Sequence, residues 1–126
     1  MGTFTAEIEI GDPSGSRWET VEALVDTGAT YTSVPASVLK RLGVPPTDRL
    51  KFIQADGNQY ERDTGETRAR VNGKTVTTIV IFAEEDAPPL LGAYTLEGLL
   101  LAPDPVNRKL VSVPGYLVSQ WPARTD

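Results

Sequence analysis

Apolar and polar residues alternate along much of this chain, and such alternation is typical of strands that bury one face. It is clear in TFTAEIEI (residues 3–10) and in RWETVEALV (17–25), with the Gly/Pro/Ser-rich stretch GDPSGS between them. Two alternating segments joined in this way predict an antiparallel hairpin. The second strand of this hairpin leads directly into Asp26.

The alternation returns in the middle of the chain, where two short turn signals divide it. The segments LKFIQ and QYERD flank Asp56-Gly57, and the segments ETRARV and KTVTTIVIF flank Asn72-Gly73. Asp-Gly and Asn-Gly between alternating segments are strong signals for short hairpins. We therefore predict a meander of paired strands through this region.

Two short segments have a helical pattern. In VPASVLKRLG (34–43), Ser33 is a candidate cap, Pro35 suits the first turn and Gly43 suits the stop. LLGAYTLEGLLL (90–101) predicts a buried strand end, a glycine and a second short helix, and the segment after it predicts a turn at DPVN and a last strand. The fold class is therefore mainly β with one or two short helices.

Composition narrows the chemistry that is open to the chain. Its 126 residues, 40% of them hydrophobic, suit one domain over residues 1–126, with 114–126 as a C-terminal tail. The chain has neither cysteine nor histidine, which excludes disulfides, thiolate metal sites and Ser-His or Cys-His hydrolysis within it. Carboxylates remain as the natural acid and base groups, and we predict no metal and no cofactor.

Net charge and hydropathy limit the classes of partner that the chain is expected to bind. A net charge of -5 weighs against nucleic acid as a partner, because phosphate backbones are bound by clustered Lys and Arg. No apolar run approaches the roughly 18 to 20 residues that span a bilayer, so we predict no membrane partner. The start MGTFTAEIEI lacks the pattern of a secretory signal, and we expect a cytoplasmic protein by default.

The stretch ALVDTGAT (23–30) places Asp26 after three apolar residues, where a carboxylate is costly unless something pairs with it or uses it. Gly28 lacks a Cβ, and its N–H can point at the carboxylate, while Thr27 supplies a hydroxyl. The alternative is a purely structural role, in which Asp26 only caps neighbouring N–H groups of a tight turn. Catalysis is the stronger hypothesis because three apolar residues precede Asp26 and Thr-Gly-Ala follows it.

Two close carboxylates that share one proton can act together as acid and base, because both cannot ionise at once. A second Asp-Thr-Gly occurs at residues 63–65, but its flanks are strongly polar, so we expect a solvated strand or turn there. A second carboxylate must therefore come from elsewhere. A two-fold dimer would supply it by bringing Asp26 of a second copy beside the first. Such a pair would favour mildly acidic conditions.

The stretch ALVDTGATYTSVP (23–35), followed at a distance by LLGAYTLEGL (90–99), resembles the retropepsin-like (retroviral-type) aspartic proteases over about residues 4 to 113. A cellular, prokaryotic relative fits better than a viral one. The resemblance implies a small closed β-barrel, a single lobe that dimerises, and a homodimeric aspartic endopeptidase that acts on a peptide or protein substrate. In such an enzyme, Asp26 of both copies would activate the water that attacks the peptide bond.

The resemblance also implies a role for each motif residue. Asp26 would be catalytic, and the active-site turn would be supported by Thr27 and Gly28. The hairpin around Asp56-Gly57 would be the flap, a mobile strand pair that closes over substrate, although its tip is polar where the family has a glycine-rich apolar one. The implied substrate-binding residues are Ala29, Thr30, Asp56 and Gly57, and the implied packing motif beneath the turn is Leu90, Leu91 and Gly92.

Two further hypotheses stay open. One is a catalytically inactive retropepsin-like module for dimerisation or peptide binding, and the other is a regulatory or assembly domain with an unrelated small β-barrel fold. Candidate wall residues of a groove, which core packing explains equally well, are Val34, Ile53, Ile79, Ile81 and Leu91. Trp121 in the tail is a candidate to cover a dimer seam.

Overall fold

The computed structural model describes residues 3–117, and strands dominate that part of the chain. The strands are β1 (Thr5–Gly11), β2 (Trp18–Val25), β3 (Thr32–Pro35), β4 (Asp48–Ile53), β5 (Gln59–Val71), β6 (Lys74–Ala83), β7 (Leu90–Leu91), β8 (Leu101–Asp104) and β9 (Lys109–Ser112), and the helices are α1 (Ala36–Arg41) and α2 (Ala93–Leu99). The predicted mainly β class with short helices is confirmed. Trp121 lies outside the described residues. Over residues 3–117, no helix is long and apolar enough to cross a membrane.

Six strands form a sheet that closes on itself in the order β1, β2, β7, β3, β6, β5. The ring is completed where β5 pairs with β1, through Glu9 with Arg70 and Ile10 with Ala69. Strand β4 extends the sheet beyond β5, and β8 and β9 form a separate two-stranded sheet. Closure removes the exposed edges that an open sheet of these strands would have.

The predicted hairpins are confirmed. Strand β1 pairs with β2 in antiparallel register from Thr5–Leu24 to Gly11–Trp18. The turn between β5 and β6 uses left-handed backbone at Asn72 and Gly73, with φ of 52° and 81°. Since few residues other than glycine and asparagine adopt such angles easily, the dipeptide fixes where the chain reverses.

The ring also contains parallel pairings that no local pattern predicts. Strand β7 inserts between β2 and β3, with Leu24 opposite Leu90 and Ser33 opposite Leu90 on its other side. Strand β3 lies parallel to β6. Helix α2 packs on β6 and α1 packs on β3 and β6. These contacts gather one apolar core inside the ring, in which Ile8, Ile10, Leu39, Leu91 and Leu96 are fully buried.

One prediction about a helix end was wrong, and one strand was missed. Ser33 does not cap α1, because it lies inside β3 and pairs with strands on both sides. The cap position is Pro35, which makes no side-chain hydrogen bond there. Strand β8, not predicted, contains Pro103 opposite Leu110. A two-stranded sheet tolerates proline because the missing N–H can face the unpaired side.

The loop between β1 and β2 is organised by Asp12, which is 9% exposed. Its carboxylate accepts hydrogen bonds from the backbone N–H of Arg17 at 2.9 Å and of Ser16 at 2.7 Å. The hydroxyls of Ser14 and Ser16 also donate to it. The hydrogen bond from Arg17, followed by those from Ser14 and Ser16, holds the pKa of Asp12 well below its usual range.

This lowered pKa predicts a pH dependence of stability. An unfolded aspartate has a pKa of about 3.9, so the contribution of Asp12 is fully present above that pH and is lost as pH falls toward the lower folded-state pKa. We expect Asp12→Asn to lower the free energy of unfolding at pH 7 and to flatten its decline below about pH 4. Urea denaturation at several pH values measures both effects.

The matched control is Asp86→Asn, which removes the same charge from an exposed loop position. It should leave the acid limb of the stability curve as in the wild type. Equal acid limbs for Asp12→Asn and Asp86→Asn would contradict the prediction.

Candidate active site

Backbone hydrogen bonds fix Asp26 at the end of β2. The N–H of Val25 donates to the carbonyl of Phe4 at 2.9 Å, and the N–H of Asp26 donates to the carbonyl of Leu91 at 3.1 Å. The N–H of Ala29 then donates back to the carbonyl of Asp26 at 3.1 Å, which closes a tight turn. The end of β2 is therefore held between the segment before β1 and strand β7.

The carboxylate of Asp26 is half-buried and faces the turn that follows it. The N–H of Gly28 donates to its Oδ1 at 2.9 Å. A Cβ at position 28 would lie 3.2 Å from the same oxygen, so a glycine gives the carboxylate room. Within residues 3–117, Gly28 is its one hydrogen-bond donor, and Oδ2 is left open to a further partner.

The start of α2 supports the turn from beneath. The N–H groups of Ala93 and Tyr94 donate to the carbonyls of Ala29 and Thr30, at 2.8 and 2.9 Å. Gly92 comes so close that a Cβ would lie 2.6 Å from the carbonyl carbon and oxygen of Tyr31, so no side chain fits. The implied packing motif thus places a glycine against the backbone of the loop that follows Asp26.

Three buried threonines lie under the same loop, and sequence reasoning missed them. The hydroxyl of Thr95 is 2.7 Å from that of Thr32 and 2.8 Å from that of Thr78. Thr32 also accepts a hydrogen bond from the N–H of Gly92 at 3.1 Å. The network joins β3, β6 and α2, and each threonine is at most 2% exposed. Threonine is common in strands, so its spacing gave no signal.

A groove of about 650 Å³ runs between the loop after Asp26, the β4–β5 hairpin and the segment that follows β6. This volume lies within the range of sites that hold small ligands. Residues of these three parts and of the adjoining strands β3, β6 and β7 line it, namely Gly28, Ala29, Thr30, Tyr31, Ser33, Lys51, Phe52, Ile53, Gln54, Tyr60, Arg62, Ile81, Ala83, Glu84, Ala87, Pro88 and Leu90.

The structure brings together only some of the residues singled out in the sequence. Gly28, Ala29 and Thr30 line the groove, whereas Asp26 and Thr27 precede the lined part of the loop. Asp56 and Gly57 lie at the exposed hairpin tip, outside the lining. The tip is closed by a hydrogen bond from the N–H of Gly57 to the carbonyl of Gln54 at 2.8 Å.

The candidate wall residues divide in the same way. Ile53 and Ile81 line the groove. Val34 and Leu91 are fully buried and belong to the core, so their alternative interpretation as packing residues is the correct one. Ile79 is half-buried and lies outside the lining.

Aromatic and charged side chains that the sequence did not single out form much of the groove. The rings of Tyr31 and Phe52 meet edge to face, with centroids 6.2 Å apart. The Arg62 guanidinium lies 5.3 Å from the centroid of the Tyr60 ring and pairs with Glu84 at 2.9 Å. These contacts connect the hairpin to the loop on one side and to the segment after β6 on the other.

The second Asp-Thr-Gly lies inside strand β5. Asp63 pairs with Arg49 of β4 at 2.9 Å, and Thr64 is 2% exposed. A Cβ at Gly65 would lie 2.6 Å from the carbonyl oxygen of Pro45, so this glycine serves close backbone packing. Over residues 3–117, no cluster of three or more acidic side chains is arranged to hold a metal ion.

The match to a protein-family model agrees with the motif. A family model described as "gag-polyprotein putative aspartyl protease" matches residues 17–98. The solution structure of the protease of simian foamy virus (mac) is 26% identical, with 70% of this chain and 86% of that chain covered and a TM-score of 0.49. The crystal structure of a retropepsin-like aspartic protease from Rickettsia conorii is 20% identical, with 82% and 86% covered and a TM-score of 0.47. No curated protein matches the chain.

The threonine network predicts a specific stability effect. Thr95→Val keeps the shape of the side chain but removes the hydroxyl that bonds Thr32 and Thr78. We expect a loss of about 1–3 kcal/mol in the free energy of unfolding, because buried polar groups lose their partners. Chemical denaturation measures it, with Thr77→Val, an exposed position in β6, as the control. Equal stabilities of the two variants would show that the network contributes nothing.

Proposed function

The chain belongs to the gag-polyprotein aspartyl protease family, and we propose that it is an aspartic endopeptidase that works as a homodimer. The observation that carries this is the carboxylate of Asp26, fixed at a strand end by its own turn, with one oxygen open and a groove beside it. Family membership sets aside the hypothesis of an unrelated β-barrel domain. The proposed reaction also requires a second carboxylate beside Asp26.

The second carboxylate comes from a second copy of the chain. The other Asp-Thr-Gly cannot supply it, since Asp63 is engaged by Arg49 in the β4–β5 hairpin. A two-fold axis beside the exposed Thr27–Gly28 turn would place two Asp26 side chains together without any further residue type. Thr27 of each copy then holds the turn of its partner.

The chemistry follows from a pair that holds one proton. The ionised Asp26 takes a proton from a water, whose oxygen attacks the carbonyl carbon of the peptide bond, while the protonated Asp26 donates to the carbonyl oxygen. The pair then gives its proton to the nitrogen and takes one back from a hydroxyl group of the tetrahedral intermediate as the C–N bond breaks. The products are a carboxylic acid and an amine, and the pair returns with one proton.

The groove and the hairpin bind the substrate. A peptide lies extended in the groove beside Ala29 and Thr30, and its main chain makes the hydrogen bonds of a strand that is added to a sheet. The β4–β5 hairpin acts as the flap, with Asp56-Gly57 at its tip. Closure over the peptide excludes water from the reacting bond.

Asp26→Asn tests the catalytic role. The amide cannot serve as acid or base, so we expect the rate of peptide cleavage to fall by about 100- to 10,000-fold, with unchanged fold and dimer mass. Asp63→Asn is the matched control, since it makes the same change in the same tripeptide, and it should keep cleavage within about threefold of wild type. Undiminished hydrolysis by Asp26→Asn would rule the assignment out.

Mixing wild type with Asp26→Asn tests whether the pair is shared between copies. If each active site needs one Asp26 from each chain, mixed dimers are inactive, and a fully exchanged equal mixture holds about one quarter wild-type dimers. The mixture should therefore show about one quarter of the activity of the same total amount of wild type. An activity of about one half would mean that each copy works alone.

A non-catalytic peptide-binding module is the second candidate, and the hairpin tip favours it. Residues 53–59 are all exposed, and most of them are polar. Such a tip seals a cleft from water less well than an apolar one. Peptide binding by the wild-type dimer without any turnover of a peptide library would establish this function in place of the first.

A further inference from the structure

We infer that the groove selects a large uncharged side chain of the substrate, aromatic by preference, and that Tyr31 and Phe52 determine this choice. The inference rests on the proposed function in taking the groove as the peptide site. The selected side chain belongs to a substrate residue that is not next to the scissile bond. The groove is lined by Gly28, Tyr31 and Ser33 among others, whereas Asp26 is not part of the lining.

The inner wall of the groove is an aromatic face of the β4–β5 hairpin. Phe52 and Tyr60 are direct cross-strand partners, so their rings lie on the same face. Tyr31 meets Phe52 edge to face from the opposite side, and a second edge contact with Tyr94, at 5.6 Å between centroids, fixes its ring. A flat side chain inserted beside these rings would gain both apolar burial and edge contacts.

Burial favours a bulky substrate side chain at this aromatic face. Phe52 and Tyr60 both line the groove and are only partly buried. A bulky side chain would remove both its own surface and theirs from water, and the gain increases with the buried area.

The charges on the inner wall are already compensated. Arg62 donates to Glu84 at 2.9 Å and to the carbonyl of Glu61 at 2.8 Å, and its guanidinium covers one side of Tyr60. A charged substrate side chain would lose water and find these partners occupied, which is unfavourable. Lys51 precedes Phe52 in β4, and alternation directs its side chain to the other face of the hairpin.

The test uses pairs of peptides derived from one cleavable sequence. The two peptides of a pair differ at a single position, which is Phe in one and Ala in the other, and each position of the sequence is tested in turn. For wild type we expect one position, not adjacent to the scissile bond, at which Phe raises kcat/KM about tenfold or more over Ala. Phe52→Ala should reduce that ratio to about threefold or less. Glu or Lys at that position should be no better than Ala.

Leu50→Ala is the matched control. Leu50 lies two residues before Phe52 on the same face of β4 but outside the lining, and it is 38% exposed. This variant should keep the wild-type preference for Phe. A lost preference in Leu50→Ala as well would mean that the hairpin as a whole, and not Phe52, is responsible, and the assignment of Phe52 would fail.

Binding of the same peptides to Asp26→Asn, followed by fluorescence anisotropy, separates this inference from the proposed function. If wild type cleaves nothing but the Asp26→Asn protein binds the Phe peptide more tightly than the Ala peptide, the peptidase proposal fails and the groove assignment stands. Cleavage without any preference for a large uncharged side chain away from the scissile bond would overturn the groove assignment alone. The absence of both cleavage and binding would overturn both.

Discussion

The candidate site depends on one close approach, that of Gly92 to the backbone of the loop after Asp26. Only a residue without a Cβ can lie there, since the added carbon would be 2.6 Å from the Tyr31 carbonyl. This approach lets the first N–H groups of α2 bond the loop carbonyls, and it brings the N–H of Gly92 to Thr32. The loop is therefore supported from beneath by backbone hydrogen bonds.

Much of the local structure could be predicted from the sequence, because the signals were local. Asn72-Gly73 occupies left-handed backbone at its turn, and Gly57 does so at the hairpin tip. The closure of the ring between β1 and β5 could not be predicted, since it joins residues about sixty positions apart through a pattern that any amphipathic strand shows. Ser33 was misassigned for the same reason, as its strand partners lie far away in sequence.

The turn at the centre of the candidate site could be predicted, and its surroundings could not. The hydrogen bond from the N–H of Gly28 to the carboxylate of Asp26 was predictable because both residues belong to one short turn. The aromatic wall was missed, because Tyr31, Phe52 and Tyr60 are separated in sequence and each is an ordinary strand or loop residue by itself. Their meeting depends on the register of the β4–β5 hairpin, which places Phe52 opposite Tyr60.

The insertion of β7 between β2 and β3 has a consequence for how the protein matures. Residues near 25 and 33 become neighbours of residues 90–91, so the loop that carries Asp26 cannot take its final shape until most of the chain has been synthesised. Contacts between such distant segments also slow folding, because the intervening chain must first be brought into a closed loop. A ribosome-bound nascent chain that has exposed only its first half would thus carry the aspartate without the frame that orients it.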